Sequence, residues 1–183
     1  MAGKGRKRTP GWVPNQHGAW AMVIAPLVVG AIAGGVALVH LPLLAFWLSG
    51  YFLFFAASLW LKSRRKPRYW PPVRAYLISS TVLGLVVLAF DPMLIVWAPA
   101  FVPAAGIGLW AAAQRRDREL ESGLATLVGS ALMTVVAYVA GDGSDMARAW
   151  QLAAIQFVYF GGTIFYVKTV IRERDNRAFF WWS

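Results

Sequence analysis

Apolar side chains run in long blocks along this chain, and polar ones gather in short breaks between the blocks. Six blocks approach the roughly 20 helical residues that cross a hydrocarbon core about 30 Å thick. They cover residues 20–39, 41–61, 75–90, 93–113, 123–140 and 149–170. The first holds no ionisable side chain. His40 and Pro42 mark a tight hairpin between the first two. The third is short for a span. In the fourth, Pro99 and Pro103 predict a kink. The blocks occupy most of the chain and leave no room for a separate soluble domain. The expected fold is all-α: a polytopic membrane bundle of six transmembrane helices over residues 19–171. A basic tail and signature segment (1–18) precede it and a C-terminal segment (172–183) follows.

Composition narrows the class. Apolar residues make up 58% and charged residues 14%, where a soluble domain has about 25% charged. So few polar side chains would not cover the surface of a soluble enzyme. Disorder is excluded on the same ground. The absence of Cys excludes a disulfide scaffold and a thiolate zinc site.

Charge then orients the chain. Seventeen of the eighteen Lys and Arg residues fall on one side of a six-span arrangement. They sit in the N-terminal tail (Lys4 to Arg8), the second connection (Lys62 to Arg74), the fourth (Arg115, Arg116, Arg118) and the C-terminal end (Lys168 to Arg177). The other side keeps Arg148, with Asp91, Asp142 and Asp145. The positive-inside rule makes both termini cytoplasmic. One span more or fewer would scramble that bias. Ala31-Ile32-Ala33 resembles a signal-peptide cleavage triplet, but the apolar block continues past it, so the first block is expected to stay as a span. The basic tail is expected to meet anionic lipid rather than nucleic acid, because no DNA-binding fold lies beside it.

Packing signals follow. Gly30 and Gly34 form a GxxxG spacing, and Gly106 and Gly108 sit in the fourth block; all are expected to let backbones approach. Trp20, Trp60, Trp110 and Trp150 lie near predicted interfaces, where indoles anchor. Trp47 lies deeper and is expected to pack against another helix. Two polar stripes recur at helical spacing: Thr126, Ser130, Thr134 and Tyr138, then Gln156, Tyr159, Thr163 and Tyr166. Polar groups facing lipid go unsatisfied, so both stripes are expected to face the bundle interior. There they would either bond helix to helix or wall a polar path.

Four polar clusters are candidates for chemistry. Residues 14–22 combine backbone-shaping Pro14 and Gly18, the amides of Asn15 and Gln16, and His17 at a helix start, where unpaired N–H groups favour an anion. A plain helix cap is the alternative. Near the other end, Lys168 sits in the last turns of an apolar helix, with Arg172 one turn on and Glu173 extending the Tyr166 stripe. Two cations at that spacing repel unless an anion or the membrane surface intervenes; the alternative is snorkelling to the headgroups. In the third cluster Asp117, Glu119 and Glu121 carry metal-type oxygens, but adjacent arginines compete for them, so ordinary loop charge is the better reading and no metal or cofactor is expected. The fourth, residues 62–72, is basic and aromatic and suits anionic headgroups or pyrophosphate at a membrane surface. No Ser-His-Asp set, HExxH, Walker loop or GxGxxG occurs.

Pro14 to Met22 resembles the opening signature of the YwiC-like family of bacterial membrane proteins. Gly162 to Asn176, with Tyr166-Val167-Lys168 and Arg172-Glu173-Arg174, is similar to that family's second signature. The resemblance covers nearly the whole chain in order. It implies architecture and a bacterial cytoplasmic membrane, and no reaction, since the family has no established activity. Family members continue past the position of Ser183 into more apolar sequence, which implies a shortened member or a fragment here. A weaker likeness to UbiA prenyltransferases rests on the basic loop after the second block and on Arg116 to Gly123. Those enzymes hold magnesium diphosphate with two Asp-rich motifs, and Trp60-Leu61-Lys62 offers no acid.

These readings converge on a cytoplasm-facing pocket. Asn15, Gln16 and His17 would face Tyr166, Lys168, Arg172 and Glu173. Lys168 and Arg172 would neutralise an anionic lipid or metabolite headgroup, the amides would orient it, and His17 is the candidate acid/base if a reaction occurs. The expected partners are membrane lipids, with an anionic lipid or an isoprenoid phosphate as ligand. Three functions compete: a binding or accessory protein, a UbiA-like enzyme on an isoprenoid diphosphate, and a small transporter, for which no internal repeat is found. Oligomeric state stays open.

Overall fold

Every apolar block becomes a helix. The computed structural model describes residues 11–14, 17–114 and 120–172, and the backbone alone at 17–19, 120–125 and 167–172. The helices are α1 (His17–Gly34), α2 (His40–Lys62), α3 (Trp70–Phe90), α4 (Ala98–Ala113), α5 (Leu120–Ala140) and α6 (Met146–Arg172). Short 3₁₀ turns at Pro67–Tyr69 and Pro92–Trp97 lead into α3 and α4. No strand occurs among the described residues.

Boundaries differ from the sequence expectation where Pro and Gly act. α3 begins at Trp70, five residues before the predicted start, because Pro71 and Pro72 occupy its first turn. Proline lacks only an N–H that the first turn would leave unbonded. α1 stops at Gly34, short of residue 39, because Gly35 turns the backbone to φ +112°, which a side chain resists. In the fourth block the chain changes from 3₁₀ to α geometry at Trp97–Ala98, and Pro99 falls harmlessly in the first turn of α4. The Asp91 side chain caps the 3₁₀ turn by accepting from the Met93 N–H at 3.0 Å.

Among the described residues, three helical stretches are long and apolar enough to cross a membrane: His40–Lys62, Pro67–Phe90 and Pro92–Ala113. Trp20–Gly34 and Thr126–Ala140 are shorter apolar helices. The outer faces are apolar too: Ile78, Val82, Leu85, Val102 and Val158 are all more than half exposed.

Helix direction alternates. Trp20 meets Tyr51 and Phe52, while Trp47 donates from Nε1 to the Val23 carbonyl at 2.9 Å, so α2 runs back along α1. Ser49 bonds Ser79 and Ser80, and Trp60 meets Trp70, so α3 runs back along α2. Trp47 against Phe101 and Phe54 against Gly108 make α4 parallel to α2. Gly30 lies on the backbone of Thr134 and Gly34 on that of Tyr138, which makes α5 parallel to α1. Leu127 against Gly161, and Tyr138 clustered with Ala149, make α6 antiparallel to α5.

The GxxxG expectation holds at α1–α5, which with α2–α3 is one of the two most extensive helix contacts among the described residues. A Cβ at Gly30 or Gly34 would overlap the carbonyl of Thr134 or Tyr138. Gly108 accommodates the Phe54 ring, whereas Gly106 faces open space and serves no approach. Trp47 packs as expected, bridging α1 and α4 from α2.

The polar stripes divide. On α5, Ser130, Thr134 and Tyr138 are buried, as expected. On α6, Tyr159 and Tyr166 are 67% and 68% exposed, and Thr163 is exposed. The expectation of an inward α6 stripe is therefore corrected. Two causes act. The Thr163 hydroxyl donates to the Tyr159 carbonyl of its own helix at 3.0 Å, so it needs no interior partner. The face that does pack on α5 carries Ala149, Ala153 and Gly161, whose small size permits close approach.

Candidate functional site

Alternation collects one end of each helix into a common surface. The start of α1 and the end of α6 lie at the end that carries the α2–α3 connection. That connection holds Lys62, Arg64, Arg65, Lys66 and Arg68, with Arg74 in the first turns of α3. Arg148 lies at the opposite end, at the start of α6.

The loop is shaped by how α2 ends. Arg64 N–H donates to the Leu61 carbonyl at 3.0 Å and Arg65 N–H to the Trp60 carbonyl at 2.8 Å. This is the pattern of a Schellman motif, whose turning residue is usually glycine. Here Arg64 and Arg65 hold that left-handed backbone, at φ 60° and 59°. A non-glycine residue there costs about 1–2 kcal/mol. Aromatic rings line the same loop. The Arg65 guanidinium lies 5.6 Å from the Trp60 ring centre and that of Arg68 4.8 Å from the Tyr69 ring. Each contact presents a cation over a π face.

Residues 11–14 cross onto this loop. Tyr76 donates from its hydroxyl to the Trp12 carbonyl at 2.6 Å, and their rings meet edge to face at 5.9 Å. Gly11 sits beside Pro72, Tyr69 and Leu59. Pro14 is buried. The segment ahead of α1 is thus packed against the α2–α3 end. Sequence reasoning paired the signature segment with the α6 end and kept the basic loop apart; the link runs through Tyr76 and Trp12, which no spacing rule connects.

A second feature lies deeper. A cavity of about 590 Å³ is enclosed by α2, α3, α4, α5 and the 3₁₀ turn before α4. Tyr51, Ser80, Thr81, Thr126 and Ser130 are the hydroxyl-bearing residues of its lining, with the Ser80 hydroxyl paired to Ser49 and the Thr81 hydroxyl donating to the Leu77 carbonyl; Phe46, Trp47, Phe54 and Phe101 are among the rings. α3 touches the 3₁₀ turn but hardly touches α4 itself, and the cavity is partly open rather than sealed. Exposed Leu85 on α3 and Ile95 ahead of α4 flank it.

The sequence-predicted pocket residues are placed as follows. His17 opens α1, and Lys168 and Arg172 occupy the last turns of α6 at the same end of the bundle. Their side chains, and all of Asn15, Gln16 and Glu173, lie outside the described residues. Tyr166 is on the outer face of α6. Of the acidic cluster, residues 115–119 lie outside the described residues, as does the side chain of Glu121. Among the described residues no group of three or more His, Cys, Asp or Glu side chains could hold a metal.

The profile of the YwiC-like protein family matches residues 13–138. The chain is 31% identical to the "Uncharacterized protein YwiC" of Bacillus subtilis (strain 168), over 93% of this chain and 72% of that protein. No solved structure matches.

Proposed function

The chain belongs to the YwiC-like family, and from that premise we propose that it is a six-span protein of the bacterial cytoplasmic membrane whose basic end binds an anionic lipid or metabolite headgroup. Both termini are cytoplasmic in this reading. Asn15, Gln16 and His17 meet Lys168, Arg172 and Glu173 around the headgroup, with Tyr166 at the outer rim. Lys168 and Arg172 neutralise its charge, and the two amides orient it.

One observation carries the reading: alternating helices gather the α2–α3 cations, the start of α1 and the end of α6 at a single end, leaving Arg148 at the other. Such a basic surface is attracted to anionic lipid by about 1 kcal/mol per Lys or Arg near the membrane. The Arg–aromatic pairs of the loop add a face on which it can rest.

The chain has no Cys, so orientation is tested with single cysteines. Lys66→Cys is expected to react with an impermeant thiol reagent only after the membrane is opened, and Ser144→Cys in intact cells. Reaction of both from outside overturns the topology. Binding is tested on the detergent-purified chain with dioctanoyl phosphatidylglycerol against dioctanoyl phosphatidylcholine. The anionic lipid is expected to bind more tightly, and Lys168→Ala to weaken it about fivefold. A His17→Ala, Lys168→Ala double-mutant cycle is expected to be non-additive. Equal binding of the two lipids defeats the headgroup reading.

A further inference from the structure

The cavity between α2, α3, α4 and α5 is not uniform along its length. Its lining can be ordered by distance from the basic end. On α2, Tyr51 and Phe54 lie nearer that end than Leu43 and Phe46. On α3, Ser80 and Thr81 lie nearer than Val87 and Leu88. On α5, Thr126 and Ser130 lie nearer than Met133 and Val136. All five hydroxyl-bearing residues of the lining therefore fall in the half toward the basic end. The far half is hydrocarbon, closed by Leu94 and Trp97 of the 3₁₀ turn.

The polar half also reaches the start of α1. The Tyr51 ring, part of the cavity wall, meets Trp20 at 6.3 Å, in the first turns of that helix. Cations at the surface, hydroxyls below them and hydrocarbon beyond match an amphiphile lying along the helices. A volume of about 590 Å³ lies within the range of about 300–1,000 Å³ usual for small-molecule pockets and leaves room for a hydrocarbon chain.

We propose that this cavity holds the hydrocarbon chain of an anionic amphiphile, which enters sideways between α3 and α4 and keeps its charged head at the basic end. The proposal rests on the headgroup reading above and adds the other half of the ligand. It also states what each half does. A hydrocarbon chain has little reason of its own to leave lipid for an equally apolar cavity, so the chain alone is not retained. Once the head is anchored, dispersion contacts of the chain with the cavity wall add to affinity, and binding needs both halves.

Glycines in the wall make the test clean. A Cβ added at Gly50 on α2 or at Gly129 on α5 meets nothing within 4 Å. Gly50→Phe and Gly129→Leu thus enter the cavity from two different helices, each with a Cβ that meets no neighbouring group. The probes are hexadecyl phosphate, hexadecanol and inorganic phosphate, measured on the purified full chain. Hexadecyl phosphate is expected to bind at least tenfold more tightly than either fragment. Each filled variant is expected to lose at least tenfold for hexadecyl phosphate and to leave inorganic phosphate unchanged, while its helical melting is retained. If one variant fails to fold, the other decides.

The two readings fail separately. Hexadecyl phosphate binding that survives a folded filled variant overturns the cavity proposal, and the headgroup site still stands if Lys168→Ala weakens it. Binding lost in the filled variants but unchanged in Lys168→Ala keeps the cavity and removes the assigned headgroup residues. Hexadecanol binding as tightly as hexadecyl phosphate also overturns the proposal, since the charge would then do nothing.

Discussion

The Nε2 atom of His40 lies 2.8 Å from the carbonyl oxygen of Ala137, across 97 residues of sequence. Ala137 belongs to the last turn of α5, where carbonyls lose their helical partners. Gly141 N–H turns toward the Tyr138 carbonyl at 3.3 Å. His40 takes over: Nε2–H donates to Ala137, and Nδ1 accepts the Ala37 N–H at 2.9 Å. One buried imidazole therefore ends α5 and fixes the turn into α2. His40→Ala strands both groups and is expected to cost about 1–3 kcal/mol of stability. Thermal unfolding in detergent measures this, and a loss near zero would show that water replaces the ring.

Close approach at α1–α5 predicts opposite outcomes for glycines that look alike in sequence. At Gly34 an added methyl overlaps the Tyr138 backbone, which has no flexible end to yield. Gly34→Ala is expected to destabilise by about 1–3 kcal/mol or more, the cost of overpacking a tight interior. At Gly106 the methyl meets nothing within 4 Å. Gly106→Ala is expected to stabilise by up to about 1 kcal/mol through helix propensity alone. Equal effects at the two sites would mean that α1 and α5 are not in this register.

What the sequence could and could not tell follows from the range of each signal. The six helices were readable because apolar length is a local property. The burial of Ser130 and Thr134 was readable because it follows a single helix period. The α6 stripe was misread because Thr163 satisfies itself within its own helix, so its polarity carried no information about direction. His40 read only as a turn marker, since its partner lies 97 residues away. The cavity could not be seen at all. It lies where α3 and α4 hardly touch, and Gly50, Gly84 and Gly129 from three helices are in its wall.

Thr134 offers a test of interior polarity. It is fully buried, and its Oγ1 has no hydrogen-bond partner among the described residues. An unsatisfied buried hydroxyl costs about 1–3 kcal/mol by mutational measures. Thr134→Val keeps the shape and removes the hydroxyl, so melting in detergent is expected to hold or rise. A fall of more than about 1 kcal/mol would reveal an ordered water or ligand bonded there.

Arg64 sets stability against binding. It occupies the glycine position of the α2 terminal motif with φ 60° and is exposed. Arg64→Gly relieves the left-handed backbone and is expected to stabilise the fold by about 1 kcal/mol, less some gain in unfolded-chain entropy. The same change removes one cation from the headgroup surface, and affinity for dioctanoyl phosphatidylglycerol is expected to fall about fivefold. Arg64→Lys separates the two effects, because it keeps both the charge and the strain. It is expected to match the parent in melting and to retain most of the binding. Should Arg64→Gly stabilise while binding stays unchanged, the arginine would be carried there for orientation in the membrane, by the same positive-inside bias that places its neighbours.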